Sequence, residues 1–171
     1  MQQFQPPERL SHVGPVSETQ DERAWPPDLA HFYAQHWHAQ VRLAFALTSR
    51  RDDAEEVVQA CYLRVAERWL AIENPQAFMH RAITNASNDV LRRRIREERL
   101  SADAPPPQTP RTLVEFYDVL NHLSVRQRTV VVLRYVAQLD DDEIARILQC
   151  RRTTVRSLAR RALQELRGVL S

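Results

Sequence analysis

Glycine is almost absent from this chain. Gly14 and Gly168 are the only two, so residues 15–167 contain none. A phosphate-cradling loop or a dinucleotide fingerprint needs glycine where backbone approaches a ligand closely, and none is available. Tight β-hairpins also lean on glycine at positive φ, which argues against an all-β fold. The 10 prolines fall at 6–7, 15, 26–27, 75, 105–107 and 110, leaving long stretches free of both helix breakers. The pattern predicts an all-α protein. At 171 residues and 43% hydrophobic, it is long and apolar enough for one medium domain or two small ones.

Helical periodicity begins directly after Pro26-Pro27, where Leu29, Phe32, Val41, Ala44 and Leu47 predict a helix of about 20 residues. Tyr33 and Trp37 lie near the same side. A second helix is expected to open at Asp52, whose spacing to Glu55 reads as a D-x-x-E capping signal. Ala54, Val57, Val58, Cys61, Tyr62, Val65, Ala66 and Trp69 then recur at helical spacing, which makes Cys61 a core residue rather than a redox site. Asn74-Pro75, a cap residue followed by proline at the first helical position, opens a third helix running to about Arg99. Residues 101–110, SADAPPPQTP, cannot be helical. Extended at about 3.1 Å per residue they span roughly 30 Å, enough to set two domains on separate surfaces.

The chain is thus expected to comprise a mobile tail at 1–24, a helical domain at 25–100, a Pro-rich linker at 101–112 and a second small helical domain at 113–171. Four helices are expected in that second domain. The first runs from Leu113 to about Asn121, and the next opens with the S-x-x-Q capping box of Ser124 and Gln127. A short third is capped by Asp140 with Glu143. The last begins near Arg152 and carries Val155, Leu158, Ala159, Ala162, Leu163 and Leu166 on one stripe.

The formal net charge is only +2, but all 24 basic residues are arginine. A GC-rich genome accounts for that usage by itself. Guanidinium forks also suit phosphate and base edges better than ammonium does. Distribution is more informative: residues 143–167 hold seven Arg against two Glu, and residues 81–99 hold six Arg against three acids. Residues 50–69 hold four Arg against five acids. Two basic blocks and one acidic helix point to nucleic acid plus a protein partner. Cys61 and Cys150 form no CxxC and no cysteine–histidine cluster, so neither a zinc site nor a disulfide framework is expected. The six histidines make no ligand set and no serine sits in a nucleophile motif, so no enzyme, metal or other cofactor is expected. No apolar run approaches a membrane span, and the first 24 residues lack a signal-peptide core. The expectation is a soluble, cytoplasmic protein.

Three constellations could carry function. The last two helices, broken at Gln149-Cys150-Arg151, match a helix-turn-helix. Such a motif places the start of its second helix, here Arg151, Arg152, Thr153, Thr154, Arg156 and Ser157, against base edges in the major groove. Arg160 and Arg161 would reach phosphate; a solvated basic helix in a bundle accounts for the same pattern. On the third helix, Asn85, Asn88 and Asp89 can hydrogen-bond an unstacked base, with Arg92, Arg93 and Arg96 on phosphates. An ordinary solvated helix end is the plainer alternative. Glu55, Glu56 and Gln59 form an acidic patch opposite the core stripe of the second helix, again explicable as a solvated face.

At these residues the chain resembles the extracytoplasmic-function sigma factors of the sigma-70 family. DAEEVVQACYLRVAERW (53–69) is similar to their region 2 helix. NPQAFMHRAITNASNDVLRRR (74–94) is similar to the part that melts and reads −10 DNA, and residues 123–167 to region 4. The resemblance covers about 25–170. It implies a factor that binds core RNA polymerase and directs it to promoters. It implies that Glu55, Glu56 and Gln59 dock on the largest-subunit coiled coil, with the polymerase flap as a further contact. Asn85, Asn88, Asp89, Arg92, Arg93 and Arg96 would meet the −10 element. Arg151, Arg152, Thr153, Thr154, Arg156, Ser157 and Arg160 would meet the −35 element. An anti-sigma factor is a further partner the family admits. The chain departs from the family pattern at Ala60, where an acid is usual, and at Gln149, Arg151 and Thr153, where Gly, Ser and Gly are usual. Arginine cannot replace serine as an N-cap acceptor, a loss of about 0.5–2 kcal/mol. Two other classes remain open: a regulator that binds DNA alone through the helix-turn-helix, and an interaction protein that keeps the polymerase contact without initiating transcription.

Overall fold

A computed structural model describes residues 25–100 and 114–170, all in helices and their connections, with no strand among the described residues. The helices are α1 (Pro27–Thr48), α2 (Arg51–Ala66), α3 (Pro75–Leu100), α4 (Val114–Asn121), α5 (Val125–Tyr135), α6 (Asp141–Leu148) and α7 (Arg152–Leu170), with a 3-10 turn at Trp69–Ala71. The expectations for residues 1–24 and for the linker at 101–112 lie outside the described residues.

In the N-terminal half, α1 packs along both α2 and α3. The α2 stripe is buried as its spacing requires, with Ala54, Val57, Val58, Cys61, Tyr62 and Val65 in the core. Tyr62 centres an aromatic cluster: Trp25 stacks on it at 5.8 Å and Tyr33 meets it edge-on at 4.8 Å. Trp69 joins through Phe32 at 5.4 Å, but from the 3-10 turn, since α2 stops at Ala66. The start of α2 corrects the sequence reading. Arg50, not Asp52, is the N-cap and makes no side-chain cap bond. With the cap two residues earlier, Asp52 and Asp53 lie inside the first turn, where a carboxylate favours the positive end of the dipole without capping. Glu55 instead accepts from Arg51 Nε at 2.8 Å. The start of α3 follows expectation, with Asn74 Oδ1 accepting from the Ala77 N–H at 3.0 Å.

In the C-terminal half, α7 packs against α5 and α6, and both capping boxes form. Asp140 Oδ1 accepts from the N–H groups of Asp142 and Glu143, each at 2.8 Å, while the Asp140 N–H donates to Glu143 at 2.9 Å. Without glycine, the left-handed positions fall to other residues: Ser49 (φ 60), Gln138 (φ 56) and Gln149 (φ 50). Ser49 and Gln149 terminate α1 and α6. Each such conformation costs a non-glycine residue about 1–2 kcal/mol.

The two halves touch. Every residue from Gln127 to Leu133 on α5 is buried, so this helix has no solvated side along that stretch. One side faces α6 and α7, and another faces α1 and α3. Its consecutive apolar residues Val130–Leu133 point in all directions around the axis and so must be covered all round, and each Val or Leu so covered contributes roughly 1.5–3 kcal/mol. The described halves share one continuous hydrophobic cluster.

Candidate nucleic-acid and protein-docking surfaces

The helix-turn-helix is α6, the turn Gln149–Arg151 and α7. The Cys150 N–H reaches back to Ala145 O at 3.0 Å and that of Gln149 to Arg146 O at 3.4 Å. This is a Schellman turn with glutamine where glycine is the easier residue. Val155, Ala159 and Ala162 bury one face of α7. The opposite face presents Arg151, Arg152, Thr153, Arg156, Arg160 and Arg161 to solvent, with Thr154 and Ser157 half-buried beside them.

The first turn of α6 holds two of these arginines. Arg152 lies 3.3 Å from Asp142, and Arg156 Nε donates to Asp141 Oδ2 at 3.1 Å. Arg134 of α5 takes the other Asp141 oxygen. Partial desolvation works to raise the Asp141 carboxyl, but the two arginines outweigh it and hold it below the usual carboxylate range. The guanidinium of Arg156 is therefore oriented before any ligand arrives. Arg161 donates to Ser157 Oγ at 3.0 Å and is oriented by its own helix.

On α3 the six candidates do not share one environment. Asn85, Asp89, Arg92, Arg93 and Arg96 are exposed, and Arg92 pairs with Asp89 at 3.3 Å. Asn88 is only 5% exposed, beneath α5, where its side chain meets the Thr129 hydroxyl at 2.9 Å. Thr129 Oγ1 also donates to Val125 O at 2.7 Å. A hydroxyl has one proton, so the acceptors Asn88 Oδ1 and Val125 O share it. A cleft of about 450 Å³ separates the halves here, with Asn85, Asn88, Asp89 and Arg92 on one wall and Arg126, Thr129, Leu148 and Gln149 on the other.

On α2, Glu56 and Gln59 are exposed and Glu55 is half-buried against Arg51. The patch continues further than the acidic residues suggest. Leu63, at i+7 from Glu56, is 63% exposed, and Leu70 in the following 3-10 turn is 94% exposed. Leu63 stands off the i, i+3, i+4 stripe, and that was the available signal for it.

Arg128 escaped the sequence reading altogether, being one polar residue beside an apolar run. It is 3% exposed and all four of its acceptors are neutral oxygens. Its Nε donates to Leu120 O at 3.0 Å and Nη2 to Asn121 Oδ1 at 2.6 Å, both at the end of α4. Its Nη1 donates to Leu47 O at 3.0 Å and Ser49 Oγ at 3.3 Å, at the end of α1. Burial, with the nearby charge of Arg94, pulls its pKa down to about 10, which still leaves it charged at neutral pH.

Among the described residues, no group of three or more His, Cys, Asp or Glu could hold a metal ion, and no helix is long and apolar enough to cross a membrane. Burial pushes the Cys61 thiol up to about 11, in keeping with a core residue.

Residues 113–166 match the sequence family described as sigma-70, region 4. Over 146 residues the chain is 32% identical to the RNA polymerase sigma-E factor of Streptomyces coelicolor, covering 77% of this chain and 80% of the relative. It is 30% identical over 174 residues to the ECF RNA polymerase sigma factor SigE of Mycolicibacterium smegmatis, covering 91% of this chain and 66% of that longer protein. Among solved structures, the fold is like that of the sigma factor RpoE in its complex with the anti-sigma factor NepR from Bartonella quintana. The TM-score is 0.70 at 24% identity, covering 85% of this chain and 98% of that one. It is also like CnrH in complex with the cytosolic domain of CnrY, with a TM-score of 0.66 at 20% identity, covering 88% of this chain and 90% of that one.

Proposed function

Because the chain belongs to the extracytoplasmic-function RNA polymerase sigma factors of the sigma-70 family, we propose that it binds core RNA polymerase and directs it to promoters. One observation carries this reading over that of a lone DNA-binding regulator: the likeness to a sigma factor runs through 146 residues and hence both halves, not the helix-turn-helix alone. A regulator acting through α6 and α7 has no use for α2 and α3 in that order. The protein is a binding and positioning factor without a reaction of its own, and it works in the cytoplasm, where polymerase and promoter DNA are.

In this reading the chain comprises a tail at 1–24, a region 2-like domain at 25–100, a linker at 101–112 and a region 4-like domain at 113–171. Glu55, Glu56 and Gln59 dock on the largest-subunit coiled coil, with Leu63 extending the contact. Asn85, Asn88 and Asp89, with Arg92, Arg93 and Arg96, read and open the −10 element. Arg151, Arg152, Thr153, Thr154, Arg156, Ser157 and Arg160 meet the −35 element, near the polymerase flap. An anti-sigma protein is a further partner, in keeping with the fold's likeness to two sigma factors solved with such partners. Run-off transcription with purified core polymerase and promoter DNA of the source genome tests the proposal. Promoter-dependent transcripts that need this protein are expected, and binding to the same DNA without any polymerase-dependent transcript returns the reading to a lone regulator.

A further inference from the structure

We infer that Asp142 acts as a built-in competitor for DNA phosphate: it holds Arg152 until a duplex displaces it, and so sets how tightly α7 grips DNA of any sequence. The inference rests on the reading of α7 as the helix that meets −35 DNA. An open concavity of about 480 Å³ lies between α6 and the start of α7. Three arginines line it, Arg146, Arg151 and Arg152, and Asp142 is the one acid among its lining residues. Arg152 reaches that acid at 3.3 Å, while Arg146 Nε donates to the Asp142 main-chain oxygen at 3.3 Å. Asp142 and all three arginines are exposed, so the pair stands where a strand lying along the start of α7 would meet it.

Asp141, one residue earlier, differs in kind. Its side chain is 17% exposed and its two oxygens are taken by Arg134 and Arg156, which builds it into the packing of α5, α6 and α7. The Asp142 and Arg152 side chains are 61% and 52% exposed, and each is the other's only ion-pair partner among the described residues. An exposed pair of this kind is weak, because water screens it and two mobile side chains lose freedom to hold it. A backbone phosphate offers the guanidinium the same charge and a comparable fork of oxygens, so it can replace the carboxylate without loss of hydrogen bonds. The charge density of the duplex tips the exchange toward DNA. The gain is still smaller than an unpaired arginine would give, since the pair with Asp142 must first be broken. Asp142 is then left as an unpaired charge beside the strand. Neutralising a phosphate releases a cation condensed on the DNA, and a stranded carboxylate takes one back from solution. The exchange should thus contribute less than the slope of about −0.9 in log affinity per log salt that an unpaired arginine contributes. Nothing in it depends on base identity, so the competition lowers promoter and mixed-sequence binding by the same factor.

The test is fluorescence anisotropy of the full chain with a duplex carrying the −35 element of a responsive promoter and with a mixed-sequence duplex of equal length, at several salt concentrations. Asp142→Asn should bind both duplexes about two- to fivefold tighter, the worth of an exposed ion pair. It should also steepen the salt slope toward that of one further phosphate contact, by up to about 0.9. Asp142→Glu keeps the charge and should show no such gain. In an Arg152→Gln background, which itself binds more weakly, the gain from Asp142→Asn should shrink by at least half, because the two residues act on each other. An undiminished gain in that background, no gain in the wild-type one, or a gain confined to the −35 duplex overturns the competitor role. If Arg152→Gln alone weakens binding in such a case, α7 does meet DNA and only the competition is wrong. If neither Arg152→Gln nor Arg156→Ala alters affinity for either duplex, the reading of α7 has failed and the competitor role with it.

Discussion

Arg156, on α7, donates to Asp141 on α6 at 3.1 Å, and the same carboxylate also holds Arg134. In the proposed −35 reading an arginine that reads a base must arrive oriented, and the neighbouring acid would orient it while placing negative charge beside the DNA. Asp141→Asn should therefore raise affinity for all duplexes while lowering discrimination among them. Arg156 is largely exposed but Arg134 is not, so losing both pairs should lower folding stability by about 1–2 kcal/mol. The folded carboxyl lies below its unfolded value, so its contribution is present at neutral pH and lost as pH falls through the folded value. Denaturation of wild type and variant from pH 7 downward should show the difference shrinking; a gap that persists at low pH refutes the ion-pair account.

Arg156→Ala should cost about 1–3 kcal/mol on −35 duplexes and relax preference at one position, if it reads a guanine. Arg160→Ala should instead weaken all sequences alike and flatten the salt dependence, because each phosphate contact contributes a slope near −0.9 in log affinity per log salt. Titrating the full chain at several salt concentrations separates the two. Equal loss on every sequence for Arg156→Ala removes its base-reading role.

Charge reversal of Glu56 and Leu63→Glu should each weaken assembly with core polymerase and leave the fold intact, since both side chains point away from the core. Glu55 is the less clean probe because its loss also removes its ion pair with Arg51. Co-purification with core polymerase, alongside a thermal melt, measures both properties. Unimpaired assembly of the variants would falsify the docking assignment.

Asn85→Ala should reduce strand opening at a responsive promoter more than it reduces binding to core, read by permanganate reactivity of the opened thymines. Asn85 is the sharper target because it is exposed, whereas Asn88→Ala also breaks the contact to Thr129. Unchanged opening would take this surface out of the mechanism.

In the native protein, thiol reagents should modify Cys150 readily and Cys61 only on unfolding. Cys61 is buried and its thiol is pushed up to about 11, so thiolate is scarce near neutral pH, while Cys150 is half-buried at the helix-turn-helix turn. Rapid labelling of both cysteines without denaturant contradicts the packing of α2 against α1 and α3.

What the sequence determined by itself is whatever depends on neighbours along the chain. Scarce glycine and clustered proline imposed helices; Asn74, Ser124 with Gln127, and Asp140 with Glu143 marked helix starts because a cap is a contact across three residues. The α2 stripe identified its own core through a period of 3.6, whereas Leu63, off that stripe, was read only from its exposure. The Asp52 signal failed for a local reason too, since a helix capped two residues early turns that cap into an ordinary first-turn acid. Tertiary structure alone decided that α5 is covered on every side, that Asn88 lies beneath Thr129, and that Arg128 joins Leu47 to Leu120. Those contacts link residues 8, 41 and 81 positions apart. No periodicity connects such positions; what brings them together is the burial of α5 on every side, for which the N-terminal half supplies the second surface.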